Sequence, residues 1–303
     1  MLRSALLTAA RNPTLRSAAE HSALVRPVVN RFVAGEHLED ALAVARELAA
    51  DRLVSLDHLG EHTADRAQAD RAADAYLTLL RRLGDEGLAD RAEVSVKLSA
   101  LGGSLPADGP ALARDNAAKI CAAAAEVGTT VTVDMEDHTT TDGTLEAVRA
   151  LRGDWPATGA VLQAYLRRTE GDCAELAGPG SRVRLCKGAY DEPASAAFRT
   201  RAEVDESYRR CLRVLMAGRG YPMVATHDPA LIGYAAELGA DREFEYQMLH
   251  GVRPEAQREL AAAGNRLRVY LPYGAAWFPY FMRRLGERPA NVMFFLRSLS
   301  SRH

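Results

Sequence analysis

The chain has 303 residues, 48% hydrophobic and 26% charged, with a formal net charge of −2. That is room for two domains or one large α/β domain, in an ordinary globular composition, with no global field to recruit nucleic acid. No apolar run approaches the roughly 20 residues that span a bilayer, and the four cysteines (Cys121, Cys173, Cys186, Cys211) show no metal-ligand spacing, which fits a reduced cytosolic setting.

Residues 1–16 carry Arg3, Arg11 and Arg16 and no acid. The stretch looks like a transit peptide, but a helix docked on the barrel is the preferred reading, because Arg11 breaks the apolar run too soon for a secretion signal. The first 45 residues read as extra helices. Eight short β-branched runs then follow, at 53–59, 93–98, 130–135, 160–165, 182–188, 222–227, 243–249 and 267–272. They are separated by Ala/Leu/Arg segments of helical period. Strand–helix alternation implies a parallel sheet, and eight units imply a (βα)8 barrel. An open doubly wound sheet would want a G-x-G-x-x-G after its first strand, and none is there. The fold class expected is therefore α/β, a single domain over 1–303, with a helical extension over 1–45, the barrel over 46–303 and a closing C-terminal helix.

Barrel enzymes work at the C-terminal ends of their strands. Those ends carry Asp57 and His58; Lys97; Asp134, Glu136 and Asp137; Gln163; Arg184 and Lys187; Thr226 and His227; Gln247 and Leu249; and Tyr270. The chain has only three lysines, and two of them, Lys97 and Lys187, stand here. Buried charge is costly unless it pairs or meets a polar ligand. Four readings stay open on the residues alone. "DMEDH" (134–138) offers metal ligands, although alternation turns only every other one inward. Lys97 or Lys187 could be a Schiff-base nucleophile. Arg184, Lys187, Gly188 and the "ATH" segment could hold a phosphate-bearing cofactor. Any single residue could belong to an ion-pair network inside the rim.

The segment "YFMRRLGERPAN" (280–291) puts Tyr280, Arg283, Arg284 and Glu287 on one helix face. Taken alone it is an ordinary surface salt bridge. Above a polar barrel mouth, two adjacent guanidinium groups suit a carboxylate ligand, and Glu287 offsets their repulsion. Gly286 and Pro289 are expected to shape or end this helix.

The pieces "SVKLSALG", "VDMED", "VLQAYLRRT", "RLCKGAYDEP", "ATHD", "EFEYQMLHGVR", "VYLPYG" and "YFMRRLGERPAN" together resemble the proline dehydrogenase family, from about residue 50 to 300. The likeness is to the stand-alone bacterial type and to the matching domain of the bifunctional proline-utilisation flavoenzymes. It implies a distorted (βα)8 barrel that holds FAD non-covalently and binds no metal. It also implies oxidation of L-proline to Δ1-pyrroline-5-carboxylate, the first step of proline degradation to glutamate. Hydride would pass from proline C5 to flavin N5, and electrons would go on to a membrane quinone. A functional link to a pyrroline-5-carboxylate dehydrogenase follows, as does a cytoplasmic protein with at most a peripheral contact on the inner face of the membrane.

By that resemblance Arg283 and Arg284 grip the substrate carboxylate. Lys97 stands at the substrate and Asp134 organises it. Tyr270, Tyr280 and Leu249 wall the substrate, and Glu287 pairs with the arginines. Met135, Gln163, Arg184, Lys187, Gly188, Ala189, Tyr190, Thr226 and His227 line the flavin, and Arg184 stabilises its reduced, negative form. Asp191 departs from relatives that carry an aromatic residue at its position, and the match over residues 1–45 is poor. No protein general base is assigned, because solvent can take the amine proton.

Overall fold

In a computed structural model of the chain, the structure describes residue 19, residues 25–61 and residues 63–287, with Gly286 and Glu287 described in backbone only. The reading of residues 1–16 as a docked helix lies outside these residues, as does Pro289. Two helices open the described chain, α1 (Arg26–Asn30) and α2 (Leu38–Ala49). The strands are β1 (Leu53–His58), β2 (Ala92–Val96), β3 (Val131–Val133), β4 (Gly159–Gln163), β5 (Arg182–Cys186), β6 (Tyr221–Ala225), β7 (Glu245–Leu249) and β8 (Leu267–Tyr273). They pair in parallel and in sequence order, and β8 closes on β1 from Leu53 beside Arg268 to His58 beside Tyr273.

Between the strands run α3 (Arg66–Asp85), α4 (Gly109–Val127), α5 (Thr141–Asp154), α6 (Thr169–Leu176), α7 (Arg201–Ala217), α8 (Pro229–Leu238) and α9 (Pro254–Ala262), and α10 (Trp277–Glu287) follows β8. Local chemistry starts these helices where the sequence turns polar. Asp65 accepts from Gln68 N at the head of α3, and Thr200 and Glu203 form a reciprocal capping box at α7. The division expected at residue 45 falls inside α2, whose Ala41, Leu42, Ala45 and Leu48 are buried in the main core. The end of the N-terminal segment is thus part of the barrel's packing.

Strand parity divides the molecule. Val54, Leu56, Val94, Val96, Val131, Val133, Leu162, Val183, Leu185, Val224, Met248, Val269 and Leu271 face the helices and make the apolar core with Leu79, Leu80, Leu83 and Ile120. The alternate residues face the bore and are mostly polar, with Val161 and Met223 among the exceptions. Arg184 on β5 reaches Ser95 on β2 and Ser55 on β1, contacts that non-adjacent strands make only through the interior. The bore holds four carboxylates (Asp57, Glu93, Asp134, Glu245) against four cations (Lys97, Arg182, Arg184, Arg268). The charges balance, as burial requires.

Glu93 is the hub of the lower bore. It accepts from Arg182 at 2.7 Å and from Ser55, Thr130 and Thr132 at 3.1 Å, with Arg184 and Arg268 at 3.4 and 3.8 Å. Burial pushes its carboxyl upward, but Arg268, Arg182 and Arg184 outweigh that and hold it below the usual carboxylate range. Glu93→Gln should cost roughly 3–5 kcal/mol in urea unfolding, because it strands buried cations. A lowered carboxylate stabilises above its unfolded value, about 4.3, and loses that contribution as pH falls through the folded one. The gap between wild type and variant should therefore be full at neutral pH and narrow in acid. A loss below about 1 kcal/mol at pH 7 would show that the hub is replaceable.

Candidate active site

The upper bore is a single hydrogen-bonded cluster. Lys97, the first residue beyond β2, donates to Asp57 Oδ2 at 2.6 Å and lies 3.5 Å from Asp134 Oδ2. Burial works to lower its pKa, but the Asp57 and Asp134 charges prevail and hold the ammonium protonated beyond the ordinary lysine range. Tyr270 on β8 bonds Asp57 and Asp134, both at 2.7 Å. Arg184 donates to Asp134 Oδ1 at 2.6 Å, Ser95 at 2.9 Å, Ser55 at 3.2 Å and Glu93 at 3.4 Å, and its Nε donates to Gln247. Those five acceptors take the guanidinium's five hydrogens, so Arg184 is fixed in place under the mouth.

The strand expected over 130–135 ends at Val133. Asp134 keeps its backbone bond to Val96 O at 2.8 Å and sends its carboxylate to Arg184. The four acid or imidazole side chains of "DMEDH" then go to different partners. Asp134 joins the bore, and Glu136 accepts from Ser99. Asp137 caps the short turn His138–Thr140, and His138 pairs with Glu192. Among the described residues no three such side chains converge as metal ligands.

Beyond β5, Lys187 is clasped by Asp205 on α7 and by Asp228 at 3.0 Å. Gly188 has φ +108°, and a Cβ there would overlap the Tyr165 ring. Ala189 and Tyr190 follow in the β5–α7 connection, with Tyr190 half-buried and Asp191 exposed beside Arg199 at 3.6 Å. Met135 and Thr226 are buried. His227 Nε2 accepts from Leu249 N at 2.9 Å. Gln163 donates to Glu136 O at 2.6 Å, while its own buried Oε1 has no partner.

Over the mouth lies α10. Its Trp277, Phe278, Tyr280, Phe281, Met282 and Leu285 pack with Val28, Val29, Phe32 and Val33 from the N-terminal segment and with Leu59, and Leu249 and Tyr270 pack at the edge. Phe32 and Phe281 stack with centroids 6.3 Å apart, and Trp277 Nε1 donates to Glu36 at 3.3 Å. Arg284 is buried, with its guanidinium 5.2 Å from the Tyr280 ring centroid. Arg283 stands 5.9 Å from that of Tyr190 and forms a two-point ion pair with Glu61, one contact at 3.1 Å. Burial would lower the Arg283 pKa, and Glu61 more than offsets it. The acid expected to serve Arg283 was Glu287, whose side chain lies outside the described residues. Glu61 stands just past β1, at a position that strand-end reading reaches if it is carried three residues beyond the strand.

The arrangement joins a fixed cation, a protonated lysine and two carboxylates under a helix that carries two guanidinium groups. The proline dehydrogenase family model matches residues 41–297. The chain belongs to the proline dehydrogenase family. Its family relatives include proline dehydrogenase of Deinococcus radiodurans, 39% identical over 99% of this chain and 98% of that protein. Proline dehydrogenase 1 of Bacillus subtilis (strain 168) is 35% identical over 99% of each. Among solved structures, proline utilization A from Bdellovibrio bacteriovorus, inactivated by N-propargylglycine, superposes with a TM-score of 0.76 at 25% identity over 86% of this chain. That from Bradyrhizobium japonicum does so at 0.74 and 26% over 90%. The chain spans about a third, 32%, of each of those longer proteins.

Gly188 and Gly171 give a paired test of the loop geometry. Gly188→Ala meets both a left-handed backbone and the Tyr165 ring, and should cost about 1–3 kcal/mol in chemical denaturation. Gly171, helical in α6, has nothing within 4 Å of the place a Cβ would take, so Gly171→Ala should gain up to about 1 kcal/mol. Equal effects at the two sites would show that the β5–α7 connection yields freely.

Proposed function

We propose that this protein oxidises L-proline to Δ1-pyrroline-5-carboxylate with non-covalent FAD, and that its electrons pass to a membrane quinone. The carrying observation is the adjacent pair Arg283, half-buried, and Arg284, buried, on α10, above a bore whose upper tier is Lys97, Asp134 and Tyr270. Family membership over nearly the whole chain supports the same reading.

The residues present fit a flavin. Gln163 Oε1 is a buried acceptor in need of a donor, which a flavin ring N–H is suited to be. Gly188 keeps the β5–α7 backbone free of a side chain where the chain turns over Tyr165. Met135, Gln163, Arg184, Lys187, Gly188, Ala189, Tyr190, Thr226 and His227 would hold the cofactor. FAD, when bound, would accept the hydride that leaves proline C5.

The chain's own residues do the rest. Arg283 and Arg284 bind the substrate carboxylate through charge-assisted, forked hydrogen bonds. Tyr270, Tyr280 and Leu249 enclose the ring and exclude water. Lys97, kept protonated by Asp57 and Asp134, is a fixed positive charge and a poor nucleophile, which disfavours the Schiff-base reading. Arg184 cannot reorient, so it supplies a preorganised cation where negative charge develops. Among the described residues no helix is long and apolar enough to cross a membrane, so contact with a membrane quinone would be peripheral.

The purified protein should be yellow, should be bleached by L-proline without oxygen, and should recolour with a ubiquinone analogue but not with NAD. A colourless protein that takes up no FAD would overturn the proposal, and steady turnover with NAD alone would overturn the quinone. Arg284→Lys keeps the charge and loses the fork. Losing one charge-assisted hydrogen bond, worth about 1.5–3 kcal/mol, should weaken proline saturation roughly ten- to hundredfold. Unchanged kcat and KM would place Arg284 outside the site.

A further inference from the structure

The turn that follows β6 is pinned from the next connection around the barrel. Leu249 N, at the end of β7, donates to His227 Nε2 at 2.9 Å, and Arg253 Nη1 donates to His227 O at 2.6 Å. A backbone amide can only donate. His227 Nε2 therefore holds a lone pair, and the ring is a neutral imidazole with its hydrogen on Nδ1. On its other side the turn is closed by Asp228 N, which donates to Thr226 Oγ1 at 3.2 Å, while the Asp228 carboxylate caps α8 and clasps Lys187.

Arg253 pays for its place in backbone strain. Its φ is +52° and its ψ +55°, the left-handed region that suits glycine. Among the described non-glycine residues only Ala107 shares a positive φ. Such a conformation persists where the surroundings over-determine it, and here they do. Gln257 on α9, itself buried, donates to Leu249 O and Val252 O, both at 2.9 Å. His250 N donates to Tyr270 O at 2.9 Å. Gly251 lies so close to Arg31 O that a Cβ would overlap it, and Arg31 Nε donates to Gly251 O at 3.3 Å. Glycine would fit position 253 with less strain than arginine, but it would lack the side chain that reaches His227.

We propose that Arg253 is a positioning residue for the cofactor. Together with the Leu249 amide it fixes His227 as the neutral Nδ1–H imidazole, and it keeps the Thr226–His227 turn in the shape that receives FAD. The FAD half rests on the function proposed above, and the tautomer does not. His227 is then a hydrogen-bond donor through Nδ1 and carries no positive charge. The support begins outside the barrel. Arg31, just after α1, holds Gly251, and the 249–253 connection holds His227, so the N-terminal segment bears on the cofactor as well as on α10.

Nitrogen NMR of the purified protein labelled at histidine reads the ring directly, with His227 assigned by the signals lost in His227→Gln. Wild type at neutral pH should show hydrogen on Nδ1 and a bare Nε2. The reverse tautomer, or hydrogen on both nitrogens, overturns the lock. Arg253→Gly relieves the backbone and removes the donor. Release of FAD from diluted holoprotein, followed by flavin fluorescence, should give a dissociation constant raised roughly ten- to hundredfold. Arg253→Lys, which keeps a charged donor, should recover most of that loss. Unfolding midpoints of wild type and Arg253→Gly are compared with FAD at the same multiple of each protein's own dissociation constant, so that the cofactor stabilises both equally, and they should agree. An unchanged dissociation constant in Arg253→Gly, or a fall in midpoint alongside the lost affinity, overturns the positioning role. A wild type that retains no FAD overturns that role together with the function reading, while the NMR result still decides the tautomer.

Discussion

Arg184 crosses the bore from β5 and takes acceptors from β1, β2 and β7 and from Asp134 just past β3. A guanidinium buried this deeply is tolerable only when every hydrogen has a partner and its charge is matched. That demand reaches most of the barrel. Asp134 must turn inward beyond a strand of three residues, Ser55 and Ser95 must stand where other barrels place Val or Leu, and Glu93 must sit beneath to balance Arg182 and Arg268 as well. The apolar core is displaced outward, to the layer between strands and helices. The cost is a bore that cannot lose one charge alone. The gain is a set of charges already oriented before any substrate arrives.

The same logic explains the position of α10. Its apolar residues are covered by Val28, Val29, Phe32 and Val33 from before the barrel and by Leu59 after β1, so one helix is held by segments over 200 residues away. With that face anchored, the opposite side must carry Arg283 and Arg284 over the mouth. The Arg283 ion pair with Glu61 ties the helix to the β1 end as well. Coverage of the site thus depends in part on a segment that precedes residue 41, where the family-model match begins.

Much of the site was legible because strand ends are legible. Lys97, Asp134, Gln163, Arg184, Thr226 and Tyr270 stand where alternation and the strand-end rule put them, and the bore unites Lys97, Asp134, Arg184 and Tyr270. Asp57 was seen as a strand-end acid, yet its role was not, because only closure of β8 on β1 sets it against Tyr270. Lys187 read as a bare cation at a strand end, and it is clasped by Asp205 and Asp228, acids 18 and 41 residues away. Glu61 was missed because helical spacing favoured Glu287 as the partner of Arg283, and a local pattern cannot see a partner that arrives through the fold.

By itself the sequence determined the eight-strand alternation, the parity that separates apolar from polar strand faces, and the chemical types gathered at one rim. Those are local properties, carried by period and residue type within a few positions. Only the tertiary structure decided which acid meets which base, how the Tyr270 hydroxyl comes to lie between two carboxylates, and what holds α10 over the mouth. Each of these depends on barrel closure and on packing across long stretches of chain, where a partner is chosen by distance in space and by the cost of leaving a buried charge or hydrogen unmatched.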